Sequence, residues 1–200
     1  DLSHAVWVYA RDIIYMLFSG NDVWAIVLFY IIFAFSFYFL IEYKFKDKLI
    51  ALYAAIAAVF ITPIIQMIIV GHNSKMIAVM MFPAVFLMLE KLYDFIAAGK
   101  IKENIFKILL YFGILVFFIH VQMSSNHVQM LFYFFSGIGI YMVYRLVYNL
   151  VKKIDFKPAL VLLVVFGLGV GLSAMMYADS YLSSREYNKY SIRGVPPITQ

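Results

Sequence analysis

Three short polar clusters in this chain carry side chains that could do chemistry. The first, Gly71-His72-Asn73-Ser74-Lys75, sets a turn-forming glycine, an imidazole, an amide, a hydroxyl and an ammonium side by side between two apolar runs. The second, HVQMSSNHVQ at 120–129, holds His120, Gln122, Asn126, His127 and Gln129. The third, YLSSREYNKYSIRG at 181–194, mixes Arg185, Lys189 and Arg193 with Tyr181, Tyr187 and Tyr190. Uncompensated polarity at membrane depth costs several kcal/mol, so clusters this dense call for a polar ligand, for water or for a solvated turn.

Each cluster has its own chemistry. Asn73, Ser74 and the backbone amides at the start of a helix can donate to anionic oxygens, where the helix dipole also favours negative charge, and Lys75 adds a cation. A solvated turn with an asparagine or serine cap accounts for the same residues. The second cluster has amides and imidazoles but no acid, a composition better suited to sugar hydroxyls or phosphate than to zinc. Ordinary interhelical hydrogen bonding fits it equally well. In the third, arginine forks suit two-point binding of phosphate. Its tyrosine rings stack on sugars or simply mark a membrane interface. With no cysteine in the chain, disulfides and thiolate metal sites are excluded. No G-x-S-x-G elbow, HExxH, Walker loop or dinucleotide fingerprint occurs either.

The elements that position these clusters must cross a bilayer. The 200 residues are 65% hydrophobic and only 14% charged, with a mean hydropathy of +0.91, too little polar surface to cover a water-soluble globule. Apolar runs of about 20 residues span the hydrocarbon core. Six of them fall at 22–41, 49–70, 74–98, 108–121, 130–147 and 158–178. The fold class expected is all-α, a polytopic transmembrane bundle over 22–178. Residues 1–21 are expected to form an amphipathic helix at the outer interface, with a seventh span entered partway as the alternative, and 179–200 an extracytoplasmic tail. The chain opens without methionine and stops just after a polar motif, which predicts a segment of a longer protein.

Charge sets the orientation. If the spans alternate, the gaps after the first, third and fifth carry 11 of the 16 basic residues, including Lys44, Lys91, Arg145, Lys152 and Lys153. By the positive-inside rule that side is cytoplasmic. The net charge of +5 is therefore matched to anionic lipids and not to nucleic acid. All four histidines, and all three polar clusters, fall on the opposite side. Two prolines bear on that side: Pro63 and Pro83 each remove a backbone donor and kink the second and third spans. The kinks either open a vestibule beside Gly71–Lys75 or are merely tolerated. In the sixth span Gly167, Gly169, Gly171 and Ser173 lie at the four-residue spacing that lets helices approach closely.

In order and spacing, these motifs resemble the membrane core of the bacterial YfhO family of large integral membrane proteins. The residues that carry the resemblance are Gly71-His72-Asn73-Ser74-Lys75 before a span containing Pro83, then Asn126-His127 with Gln129, then YNKYSIRG at 187–194. It covers about 22–194, and departs from the family in the valine of Asn126-His127-Val128-Gln129, where many relatives carry proline. That family is similar to the GT-C glycosyltransferases. The resemblance implies a module that passes a sugar from a polyprenyl-phosphate donor to an extracytoplasmic glycan or polymer acceptor, in the bacterial inner membrane. His72, Asn73, Ser74, Lys75, Asn126, His127, Gln129, Arg185, Tyr190 and Arg193 would then bind substrate. In that class an acid of the first outer loop acts as base or metal ligand. The loop would precede Asp1, so no catalytic residue is assigned here, and a divalent cation is the one cofactor the resemblance admits. Two other classes compete: a transporter or flippase, which calls for ionisable groups at mid-span, and a non-catalytic subunit of envelope assembly.

Overall fold

The structure, a computed structural model, describes residues 16–17, 22–99, 101–125 and 127–188. Of the expected interfacial helix over 1–21 only 16–17 are described; of the tail expected over 179–200, residues 179–188 instead continue the last helix, and 189–200 lie outside the described residues. Within them every regular element is an α-helix, and six helical spans are long and apolar enough to cross a membrane. The chain is a multi-pass, all-α membrane protein.

Helix α1 (Asp22–Phe45) and helix α2 (Lys48–Val59) form a tight hairpin. Asp47 closes it by accepting hydrogen bonds from the amides of Leu49 at 2.8 Å and Ile50 at 3.0 Å, the usual service of an aspartate at a helix start. The second span is broken rather than kinked. Helix α2 stops at Val59, Ile61 is extended, and α3 (Thr62–Ile69) restarts with Pro63 in its first turn. A proline lacks an N–H and is cheapest at that place.

The third span is also in two pieces, α4 (Asn73–Met80) and α5 (Phe82–Ala97), hinged at Met81 with Pro83 just after it. It is the axis of the bundle: 72% of its central residues are buried, against 28% or fewer in each other span. Helices α6 (Ile105–Ser124), α7 (Val128–Val151) and α8 (Lys157–Asn188) complete the set.

Two clusters of buried side chains divide the interior along that axis. Around α4 lie Phe29 and Phe33 of α1, Ile64 of α3 and Val121 of α6. Around α5 lie Leu115 and Ile119 of α6, Ile138 and Met142 of α7, and Leu162 and Phe166 of α8. Large apolar side chains such as Phe39, Tyr53, Phe106 and Ile140 point outward, as they must where hydrocarbon replaces water as the solvent. Of the small residues of α8, Gly169 packs on α6, where a Cβ would meet Ile119, Leu115 and Phe112 at 3.6 to 3.7 Å. Ser173 joins the same contact through a bond from its hydroxyl to the Val116 carbonyl at 3.1 Å. Gly167 and Gly171 face open space.

Candidate functional site

The joins after the second and fourth spans lie at one end of the bundle, and each is built by backbone chemistry. Gly71 has φ +74° and ends α3 with two backbone bonds, His72 N to Met67 O at 2.8 Å and Gly71 N to Ile68 O at 3.0 Å. This pair is the Schellman closure, which wants a glycine in the left-handed region. The glycine of the first cluster is thus explained by the turn. His72 is the N-cap of α4 and its side chain makes no capping bond, so the first amides of α4 keep their donors. His72 and Ser74 are exposed, while Asn73 and Lys75 are half-buried. Among the described residues no acid pairs with Lys75.

The second cluster is placed differently from its expected position in an outer gap. Helix α6 runs on to Ser124, so His120, Gln122 and Ser124 are helical and, with Ser125, buried. Helices carry such side chains inside when they satisfy them locally: the hydroxyl of Ser124 donates to Val121 O at 3.0 Å and that of Ser125 to Gln122 O at 2.6 Å. The Gln122 amide donates to the Ala78 carbonyl at 2.7 Å. Ala78 lies in the last turn of α4, just before the hinge at Met81, so the broken span is braced there by its neighbour.

The cluster therefore splits. His127, half-buried, is the N-cap of α7, and Gln129 is exposed, donating to the Tyr133 hydroxyl at 3.1 Å. Asn126, Tyr190 and Arg193 lie outside the described residues. Arg185 falls in the last turns of α8, and its side chain is not described.

Between the two broken spans and α7 the bundle opens a cavity of about 750 Å³, lined by Phe37, Pro63, Met67, Ala78, Pro83 and Tyr133 among others. Both prolines border it, so the two breaks share this space, and α4 meets it at Ala78 and Val79 of its last turn and not at Gly71–Lys75. The walls are almost wholly apolar, so the cavity suits a hydrocarbon chain. A smaller cavity of about 390 Å³ lies where α6, α7 and α8 meet, with Tyr177 and Tyr181 in its wall. Among the described residues no group of His, Asp and Glu is close enough to hold a metal ion.

The opposite, basic end holds a cluster built around two of the basic residues that set the orientation, Lys44 and Arg145. Glu90 of α5 is 1% exposed. Its Oε2 takes Lys44 Nζ of α1 at 2.5 Å, and its Oε1 takes Arg145 Nη1 of α7 at 2.7 Å together with the hydroxyl of Tyr141. Arg145 also donates to Tyr141 Oη at 2.9 Å and stacks 3.4 Å above the ring of Tyr93. Asn149, buried, donates to Tyr93 Oη at 3.0 Å and to the Asp155 carbonyl at 3.1 Å. Nearby, Tyr43 donates to Asp94 and lies under Lys46 and Lys91. One signal was available beforehand: Glu90 is an acid inside an apolar span, and such a residue needs a partner.

Neither protein-family models, nor curated proteins, nor solved structures give a match to this chain.

Proposed function

We propose that the chain is the membrane core of a YfhO-like, GT-C-type glycosyltransferase, receiving a polyprenyl-phosphate-linked sugar at its histidine-bearing, extracytoplasmic end in a bacterial inner membrane. The observation that carries this reading is what α4 holds at its two ends. Lys75 and the uncapped first amides stand at its start, and Ala78 and Val79 of its last turn line an apolar cavity of about 750 Å³ bordered by both breaks. A lipid-linked phosphate has those two halves, an anionic head that wants cations and N–H donors and a hydrocarbon tail that wants an apolar cleft.

In this account the phosphate meets Lys75 and the amides of Asn73 and Ser74. Gln129 and Asn126 are assigned to sugar hydroxyls, and Arg185 and Arg193 to the anionic group. The carrier alternative draws on Glu90, an acid inside a span, but both of its oxygens are already engaged by Lys44, Arg145 and Tyr141.

The test is sugar transfer from a labelled polyprenyl donor by the intact protein. Lys75→Ala and Arg193→Ala should each lower turnover by roughly tenfold or more, the cost of one charge-assisted contact. Unchanged turnover in both removes these residues from the site.

A further inference from the structure

We infer that the tyrosine-walled cleft at the basic end binds the phosphodiester headgroup of an anionic phospholipid in the adjoining leaflet. The cleft has a volume of about 340 Å³ and is lined by Tyr93 of α5, Tyr141, Tyr144, Arg145, Tyr148 and Asn149 of α7, and Ile154 of the following loop. It owes nothing to the proposed glycosyl-donor site and stands or falls separately from it.

Three observations carry the inference. First, Arg145 is held in place for a second partner. Its guanidinium stacks on Tyr93 and spends Nη1 on Glu90 and Tyr141. Among the described residues its remaining N–H groups have no protein acceptor, and a guanidinium fork presents them in the geometry that phosphate oxygens accept.

Second, the local charge is positive. One carboxylate, Glu90, faces two cations, Lys44 and Arg145, and Lys152 and Lys153 of the adjoining loop and Lys157 at the start of α8 lie exposed. The Asp155 carboxylate is occupied in capping α8, accepting from the Lys157 amide at 3.0 Å. Basic pockets between helices at a membrane surface are the common form of headgroup site.

Third, the loop that walls the cleft is specifically built. Lys153 sits at φ +55°, a left-handed conformation that a side chain makes unfavourable. There it closes α7 through Lys153 N to Leu150 O at 3.2 Å and Ile154 N to Asn149 O at 2.8 Å. That closure brings Ile154 to the cleft, while Asn149 pins the loop at Asp155. The occupant is a lipid because the cleft lies at the end of a membrane-spanning helix, where the exposed apolar side chains of Ile140, Val143 and Val147 on the same helix leave acyl chains beside it.

The experiment titrates phosphatidylglycerol and, separately, phosphatidylcholine onto the delipidated intact protein and reads bound lipid by native mass spectrometry. Arg145→Lys keeps a cation against Glu90 but loses the fork; it should weaken phosphatidylglycerol binding by about tenfold and leave the weaker phosphatidylcholine binding alone. Tyr144→Leu with Tyr148→Leu, both on exposed positions, should weaken it likewise and decides the matter if Arg145→Lys fails to fold. Phosphatidylglycerol held equally by wild type and the variants overturns the site. So does equal binding of the two lipids. Displacement of the lipid by inorganic phosphate at comparable concentration overturns the lipid assignment in favour of a soluble anion.

Discussion

The side-chain amide of Gln122, near the end of α6, donates to the backbone carbonyl of Ala78 in the last turn of α4 at 2.7 Å. This one bond ties the second polar cluster to the helix that the first cluster starts, and it does so beside the cavity that Ala78 helps to line. Its removal leaves a buried carbonyl without a donor. Gln122→Leu should therefore cost about 1–2 kcal/mol of stability, measured by denaturant unfolding in micelles, with Asn149→Leu as a comparison at the far end. An unchanged midpoint for Gln122→Leu contradicts the bracing role.

The Glu90 cluster makes a graded prediction. Glu90→Gln strands Arg145, whose side chain is only 17% exposed, whereas Lys44→Met removes a partner that is 38% exposed and leaves Glu90 still paired with Arg145 and Tyr141. The first should destabilise by roughly 3 kcal/mol and the second by less than about 1 kcal/mol. The same unfolding assay reads both, and equal losses count against the cluster's burial.

Packing of α8 on α6 separates glycines that look alike in sequence. Gly169→Leu must displace Ile119, Leu115 and Phe112, which stand at van der Waals distance from the Cβ position, and should cost about 1–3 kcal/mol. Gly167→Leu and Gly171→Leu project into open space and should cost nothing by that route. A melting series over the three variants distinguishes them, and a Gly167→Leu loss as large as that of Gly169→Leu refutes the assigned face.

Much of the fold is legible in the sequence because length and hydropathy are local properties. Six apolar runs become six spans, with ends that shift by a few residues: the run at 108–121 extends to Ile105–Ser124 because Ser124 and Ser125 satisfy their hydroxyls on the preceding turn. Pro63 and Pro83 announce breaks, though only the structure shows that the two breaks share a cavity. The Gly71 turn is readable from one residue. What sequence does not convey is pairing at a distance. Lys44, Glu90 and Arg145 lie 46 and 55 positions apart, and nothing in the local pattern says that α1, α5 and α7 bring them together. Likewise His120 and Gln122 look like members of an outer gap until the packing of α6 on α4 shows them buried.

The account rests most on the two ends of the bundle facing opposite compartments, with the clusters at His72–Lys75 and Arg193 on the same side. The chain contains no cysteine, so single cysteines can be placed without background. Ser74→Cys, Gln129→Cys and Arg193→Cys should react with an impermeant thiol reagent added outside intact cells, while Lys152→Cys should react only after the membrane is opened. Labelling of Ser74→Cys and Arg193→Cys from opposite sides would contradict the proposed donor site directly.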